Sequence, residues 1–195
     1  MTEHRATSGR FVPECFATFT RPANTTAYAA GDIVANSTSA ADVVPLKFPA
    51  CRTPNGSGLI TGGRIVKSDD DVTQASFRLW LLTKQPFATG SYPADNAALV
   101  LTYAALGYLI GYMDFSTFVD AGSSGSANAS MSAAAHREMP FNCARAARMP
   151  TDDSVIVGGQ FYDGTRLIYG VLEAVGTYTP ASAEQFTIWL DVQQN

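Results

Sequence analysis

The chain has 195 residues, a formal net charge of −4, and only 15% charged residues. That length suits one domain whose core needs neither disulfide nor metal to hold it. Arg outnumbers Lys ten to three, but no basic cluster exists, which excludes nucleic-acid binding through counterion release, and no apolar run is long enough to span a membrane.

Residues 1–13, "MTEHRATSGRFVP", carry His4, Arg5 and Arg10 and lack the apolar centre of a signal peptide. They read as an extended N-terminal arm that a partner orders, ahead of one β-domain over 14–195. A first strand is predicted near 14–20. It leads into "FTRPANTTAYAAGDIVANS" (Phe19–Ser37). There Arg21-Pro22 sets an extended chain, because proline disfavours helix in the residue before it. Asn24, Thr25 and Thr26 offer short donors and acceptors, and Tyr28 offers a large contact at small entropic cost. Gly31-Asp32 turns the chain into a strand near 32–36.

Strands near 44–50 and 58–68 flank the turn "TPNGSG" (Thr53–Gly58). "SDDDVTQ" (Ser68–Gln74) reads as a hairpin tip before a strand near 75–84, where Phe77, Leu79 and Leu81 alternate with Arg78, Trp80 and Leu82. Asp69, Asp70 and Asp71 lack the turn glycine and distal glutamate of a calcium loop. "ADNAALVLTYAALG" (Ala94–Gly107) is rich in Ala and Leu and fits a short helix or a covering loop. "GYLIGYMDF" (Gly107–Phe115), apolar on both faces, reads as a central strand.

"GSSGSANAS" (Gly122–Ser130) is a loop without the strand-to-helix setting of a serine nucleophile. A strand near 131–141 puts His136 and Glu138 on one face. With His4 the only other histidine, the pair falls short of the three or four ligands of a metal site and reads as a surface contact. Asp152 and Asp153 read as solvated. "YDGT" (Tyr162–Thr165) carries an Asp-Gly hairpin signature before a strand near 165–175. The last strand, near 184–193, puts Phe186, Ile188, Leu190 and Val192 on one face and Thr187, Trp189, Asp191 and Gln193 on the other.

Eight or nine short strands separated by Gly and Pro turns predict an all-β chain, an antiparallel β-sandwich of jelly-roll type. Its core face should hold Phe77, Leu79, Leu81, Ile110, Tyr112, Leu167, Val171, Phe186, Ile188 and Leu190. Cys15, Cys51 and Cys143, an odd set at wide spacing, argue against a disulfide framework and read as reduced, semi-buried thiols made in a cytoplasm. Tyr28, Tyr92, Tyr103, Tyr162 and Tyr178 fall in or near loops, which suits contacts with protein or sugar. No set of residues points to catalysis, a cofactor or a metal, so the chain is expected to bind rather than catalyse.

Five segments carry a resemblance: "FTRPANTTAYAAGDIVANS", "GSGLITGGRIVKS", "FRLWLLTKQP", "GYMDF" and "YGVLEAVGTYTPASAEQFTIWLDV". In this order they resemble small virion proteins of tailed bacteriophages, and the architecture is similar to the jelly-roll cement, or capsid decoration, proteins of short-tailed phages. The resemblance runs from about Phe16 to Val192 and is most specific in its opening and closing segments. It implies a subunit synthesised in the host cytoplasm that binds the outer surface of the mature capsid. Its partners would be the major capsid protein and itself, a homodimer before a trimer, with neither nucleic acid nor membrane. On that reading the candidate capsid contacts are Arg5, Arg10 and Phe11 in the arm, Arg21, Asn24, Thr25 and Tyr28 in the opening stretch, and Asn55 in the Thr53–Gly58 turn. The competing reading is a tail-associated receptor- or carbohydrate-binding β-sandwich module that uses loop aromatics.

Overall fold

The computed structural model describes residues 10–11, 15–69, 75–88, 90–120, 130–134, 137–143, 155–157, 160–162 and 166–194. In chain order the strands are β1 (Arg10–Phe11), β2 (Phe16–Thr20), β3 (Ile33–Val34), β4 (Leu46–Pro49), β5 (Ser57–Lys67), β6 (Phe77–Leu82), β7 (Leu109–Phe115), β8 (Val119–Asp120), β9 (Ser130–Ala133), β10 (Met139–Asn142), β11 (Val155–Val157), β12 (Gln160–Tyr162), β13 (Leu167–Ala174) and β14 (Gln185–Gln194), with one helical turn, α1 (Tyr103–Leu106), ahead of β7.

Two antiparallel sheets carry the architecture. In the seven-stranded sheet the long strands β5 and β14 run side by side, β2 and β1 share the far edge of β14, and β9 and β10 share the far edge of β5, with β8 outside β9. In the five-stranded sheet β13 is central, with β6 and then β7 on one side and β3 and β4 on the other. β11 and β12 form a separate hairpin. One apolar core lies between the layers, built from Ile60, Ile65, Phe186, Ile188 and Leu190 of the first sheet and Phe77, Leu79, Leu81, Ile168 and Leu172 of the second. The ring of Phe77 meets Phe186 and Tyr178 edge-on, at 5.5 and 5.3 Å between centroids.

Alternation explains β14 directly: Phe186, Ile188, Leu190 and Val192 are all buried, as expected. β5 changes phase midway. Asp191 pairs with Gly62 and Val192 with Ile60, so a bulge at Thr61 moves the inward face from Gly58 and Ile60 to Gly63, Ile65 and Lys67. Glycine is required there, since a Cβ on Gly63 would lie 2.8 Å from the carbonyl oxygen of Trp189 and 3.0 Å from the sulfur of Met113.

Several expectations are corrected. β7 is an edge strand of its sheet, not a central one. Its inward residues are Met113 and Phe115, while Tyr112 faces outward against Trp80, 5.4 Å between ring centroids. Leu81 pairs with Gly111 and Leu82 with Leu109, so a bulge at Ile110 turns that side chain toward the core, as expected, and Leu109 toward the outer cluster. Val171 is buried, but on the outer face of β13, in a second cluster with Ile33, Ala35, Val43, Leu82, Tyr92 and Ala105. The Ala94–Gly107 segment contributes to this cover as both a loop and a helical turn. The strand expected at 131–141 is two strands, β9 and β10, each paired with a different end of β5. Two residues of the expected arm, Arg10 and Phe11, pair with Gln194 and Gln193 as β1, because the far end of β14 extends beyond β2 and leaves a strand edge to be covered. Residues 1–9, Asp70, Asp71, the 122–129 loop, His136, Asp152, Asp153 and the Asp-Gly turn lie outside the described residues.

Candidate functional site

The opening stretch folds inward around a charge. Arg21, the first residue after β2, is 2% exposed and Tyr28 1%. The Arg21 Nε donates to the Tyr28 hydroxyl (2.7 Å), its Nη1 to the carbonyls of Asn24 (2.9 Å) and Ala181 (3.1 Å), and its Nη2 to the carboxylate of Asp95 (3.2 Å). The Tyr28 hydroxyl donates onward to Asp95 (2.6 Å), whose same oxygen accepts the backbone N–H of Ala35 (2.9 Å). A charge taken out of water is tolerated when its donors and acceptors are met in this way. Burial and the neighbouring Asp95 carboxylate hold the Tyr28 hydroxyl well above its ordinary range, with Arg21 opposing. Asn24 completes the turn, its side-chain oxygen accepting from Thr26 N (3.1 Å) and Arg21 Nη2 (3.3 Å).

A second network lies beside the first, joined by the stacked rings of Tyr28 and Tyr178, 6.4 Å apart and 5° from parallel. Lys67, brought inward at the end of β5, approaches the Glu184 carboxylate at 3.3 Å and donates to the carbonyl of Asp69 (2.9 Å). The Tyr178 hydroxyl donates to both oxygens of Glu184, 2.7 and 2.8 Å. Burial raises the Glu184 carboxyl above its ordinary range, and the Lys67 charge and the Tyr178 hydrogen bond pull back against it.

The structure therefore corrects two candidate contacts. Arg21 and Tyr28 are internal scaffold, because Asp95, far along the chain, satisfies their polar ends; the loop tyrosines Tyr92 and Tyr178 are buried as well. Asn24 is half-buried within the same network. Thr25 and Asn55 are exposed, and Asn55 holds the left-handed φ of 57° that shapes its turn. Arg10 and Phe11 sit in β1 at the edge of the sheet, and Arg5 lies outside the described residues.

The surface also presents two groups of large side chains. On the outer face of the five-stranded sheet, Arg78 lies over Trp80 and Tyr112 and pairs with Asp114, Arg137 lies over Tyr112, and the Trp80 indole donates to Glu173 (2.6 Å). On the covering segment, Val100 is 68% and Tyr103 94% exposed. That segment is fixed: Leu99 N donates to Gly31 O (2.8 Å), Ile33 N to Ala97 O (2.9 Å), and the Thr102 hydroxyl caps α1 at Ala105 N (3.2 Å). The sequence marked Tyr103 only as a loop tyrosine. It carried no signal for Lys67, Asp95 or Glu184, which are defined by partners far along the chain.

Among the described residues no group of three or more His, Cys, Asp or Glu side chains is placed to hold a metal ion, and no helix is long and apolar enough to cross a membrane. No protein-family model matches the chain, and no curated protein matches it. Among solved structures, a chain from the single-particle structure of Maize Chlorotic Mottle Virus aligns over 93% of this chain and 94% of its own, at 11% identity and a TM-score of 0.24. A likeness at that level carries no argument about fold or function.

Proposed function

We propose that this chain is a bacteriophage capsid cement protein of jelly-roll connectivity, which binds the outer surface of the mature capsid and bridges neighbouring major capsid proteins. The observation that carries the reading is the rigid display of apolar surface at Val100, Tyr103 and Leu106 on the clamped covering segment. An exposed aromatic gains apolar burial by docking on protein, and a backbone already anchored by hydrogen bonds loses little entropy in doing so. The crossings from β4 to β5, β5 to β6, β7 to β8 and β13 to β14, each from one sheet to the other, support the jelly-roll assignment. Thr25 and Asn55 join Tyr103 as exposed contacts, Arg10 and Phe11 would contribute from the sheet edge at β1, and Arg5 from the residues before it. The subunit acts as a symmetric homodimer, so that weak contacts multiply over the lattice.

The aromatics of the outer sheet face serve a sugar-binding role less well, since the Arg78 and Arg137 guanidiniums already lie over the Tyr112 ring, each 4.6 Å from its centroid. The test is co-sedimentation of the purified protein with expanded heads that lack it. Wild type pellets with the heads, and Tyr103→Ser pellets less at unchanged melting temperature. Failure of the wild type to pellet contradicts the proposal.

A further inference from the structure

Cys51 and Cys143 meet between the two layers. Cys51 lies two residues after β4 in the five-stranded sheet, and Cys143 directly after β10 in the seven-stranded sheet. Their sulfurs are 2.7 Å apart and both residues are fully buried. Backbone bonds fix their positions, from Cys51 N to Arg166 O (3.0 Å) and from Cys143 N to Gly56 O (2.9 Å). The Thr53–Gly58 turn closes over the pair so tightly that a Cβ on Gly56 would lie 3.2 Å from the Cys51 Cβ and 3.3 Å from its sulfur. Cys15 is also a buried free thiol, near enough to interact electrostatically with both, but among the described residues the hydrogen bond between sulfurs joins Cys51 to Cys143.

We propose that Cys51 and Cys143 form a cross-layer disulfide: a dithiol while the chain stays in a reducing compartment, and a cystine once it meets a small-molecule disulfide outside it. One cysteine thiolate attacks the small disulfide, whose S–S bond breaks and releases one small thiol. The second thiolate then attacks the mixed disulfide, forming the Sγ–Sγ bond and releasing the other small thiol. Two electrons pass from the cysteine sulfurs to the small disulfide, and the two cysteine protons are matched by those taken up by the released thiols.

The contact with Cys51, and then burial, hold the Cys143 thiol well above its ordinary range. Thiolate is therefore scarce in the closed fold, and the exchange runs fastest during folding or local opening. The bond would tie one sheet to the other across 92 residues of chain, a separation at which a cross-link restricts the unfolded ensemble strongly. This inference stands on the thiol geometry and does not depend on the capsid reading.

The test refolds the full chain from denaturant in a mixture of oxidised and reduced glutathione. The sample is quenched with acid, its free thiols are alkylated, and its peptides are mapped by mass spectrometry. Before alkylation the expected product is about 2 Da lighter than the reduced chain; after alkylation Cys51 and Cys143 are joined and only Cys15 carries the label. It melts about 5–15 °C above the reduced form, and Cys143→Ala shows no such difference. Alkylation of both Cys51 and Cys143 after oxidative refolding, a cystine that includes Cys15, a product that stops at the glutathione adduct, or a cystine form that melts no higher than the dithiol would overturn the proposal.

Discussion

Two arginine–aspartate pairs mark the extremes of environment in this molecule. Arg21 and Asp95 are 3.2 Å apart with both side chains at 0% exposure, while Arg78 and Asp114 are 2.7 Å apart at 29% and 46%. The shorter pair is the one water screens, so its net worth is small. The longer pair sits where an unmatched charge has no water to turn to, and its importance lies in what its loss would leave behind. Asp95 also holds the Tyr28 hydroxyl and the Ala35 N–H, so one carboxylate fixes the opening stretch, β3 and the start of the covering segment together. Burial and the number of bonds each group completes, rather than separation, rank these contacts.

The comparison breaks most clearly at Asp95. Asp95→Ala leaves Arg21 charged and buried and is expected to cost about 3–5 kcal/mol in urea unfolding. Leu79→Ala, at the centre of the apolar core, provides the yardstick at about 2–5 kcal/mol. A small effect at Asp95 beside a large one at Leu79 would show the charge network to be dispensable.

Glu184 sharpens the contrast through pH. Its carboxyl is raised in the fold, first by burial, so the folded chain holds the proton more tightly than the unfolded one. Its contribution is full below the ordinary glutamate range and is lost as pH rises through the raised value. Glu184→Gln cannot ionise, so its stability relative to wild type should increase from pH 4 to pH 7. A decrease would mean that Lys67 and Tyr178 outweigh burial. At the small end, Asp114→Ala on the exposed pair should change stability by less than about 1 kcal/mol, and by less still in high salt.

Much of the β framework was legible in the sequence because strand periodicity is local. The inward face of β14 and the alternation of β6 follow from reading every second residue. Legibility failed where a second surface intervened. Both faces of β13 are buried, so alternation could not say whether Val171 or Leu172 faced the other sheet. Tyr112 is apolar enough for a core, yet its place is set by Trp80 on the neighbouring strand. The bulges at Thr61 and Ile110 shift phase through pairing that no single strand declares. The candidate site was read least well. Arg21 and Tyr28 have the composition of a contact surface, and partners far along the chain, Asp95 at 74 residues and Ala181 at 160 residues from Arg21, turn them inward. Thr25 and Asn55 are exposed because nothing distant claims them among the described residues.

The most direct test of the capsid proposal is to strip the protein from virions, add it back at saturating concentration, and heat the particles with and without it while following genome release. A ligand that binds only the mature shell stabilises it by mass action, so the account predicts a higher rupture temperature in the restored particles and only partial recovery with Tyr103→Ser. Equal rupture temperatures, or localisation of the protein to the tail by labelled antibody, would contradict the cement reading and favour the receptor-binding one.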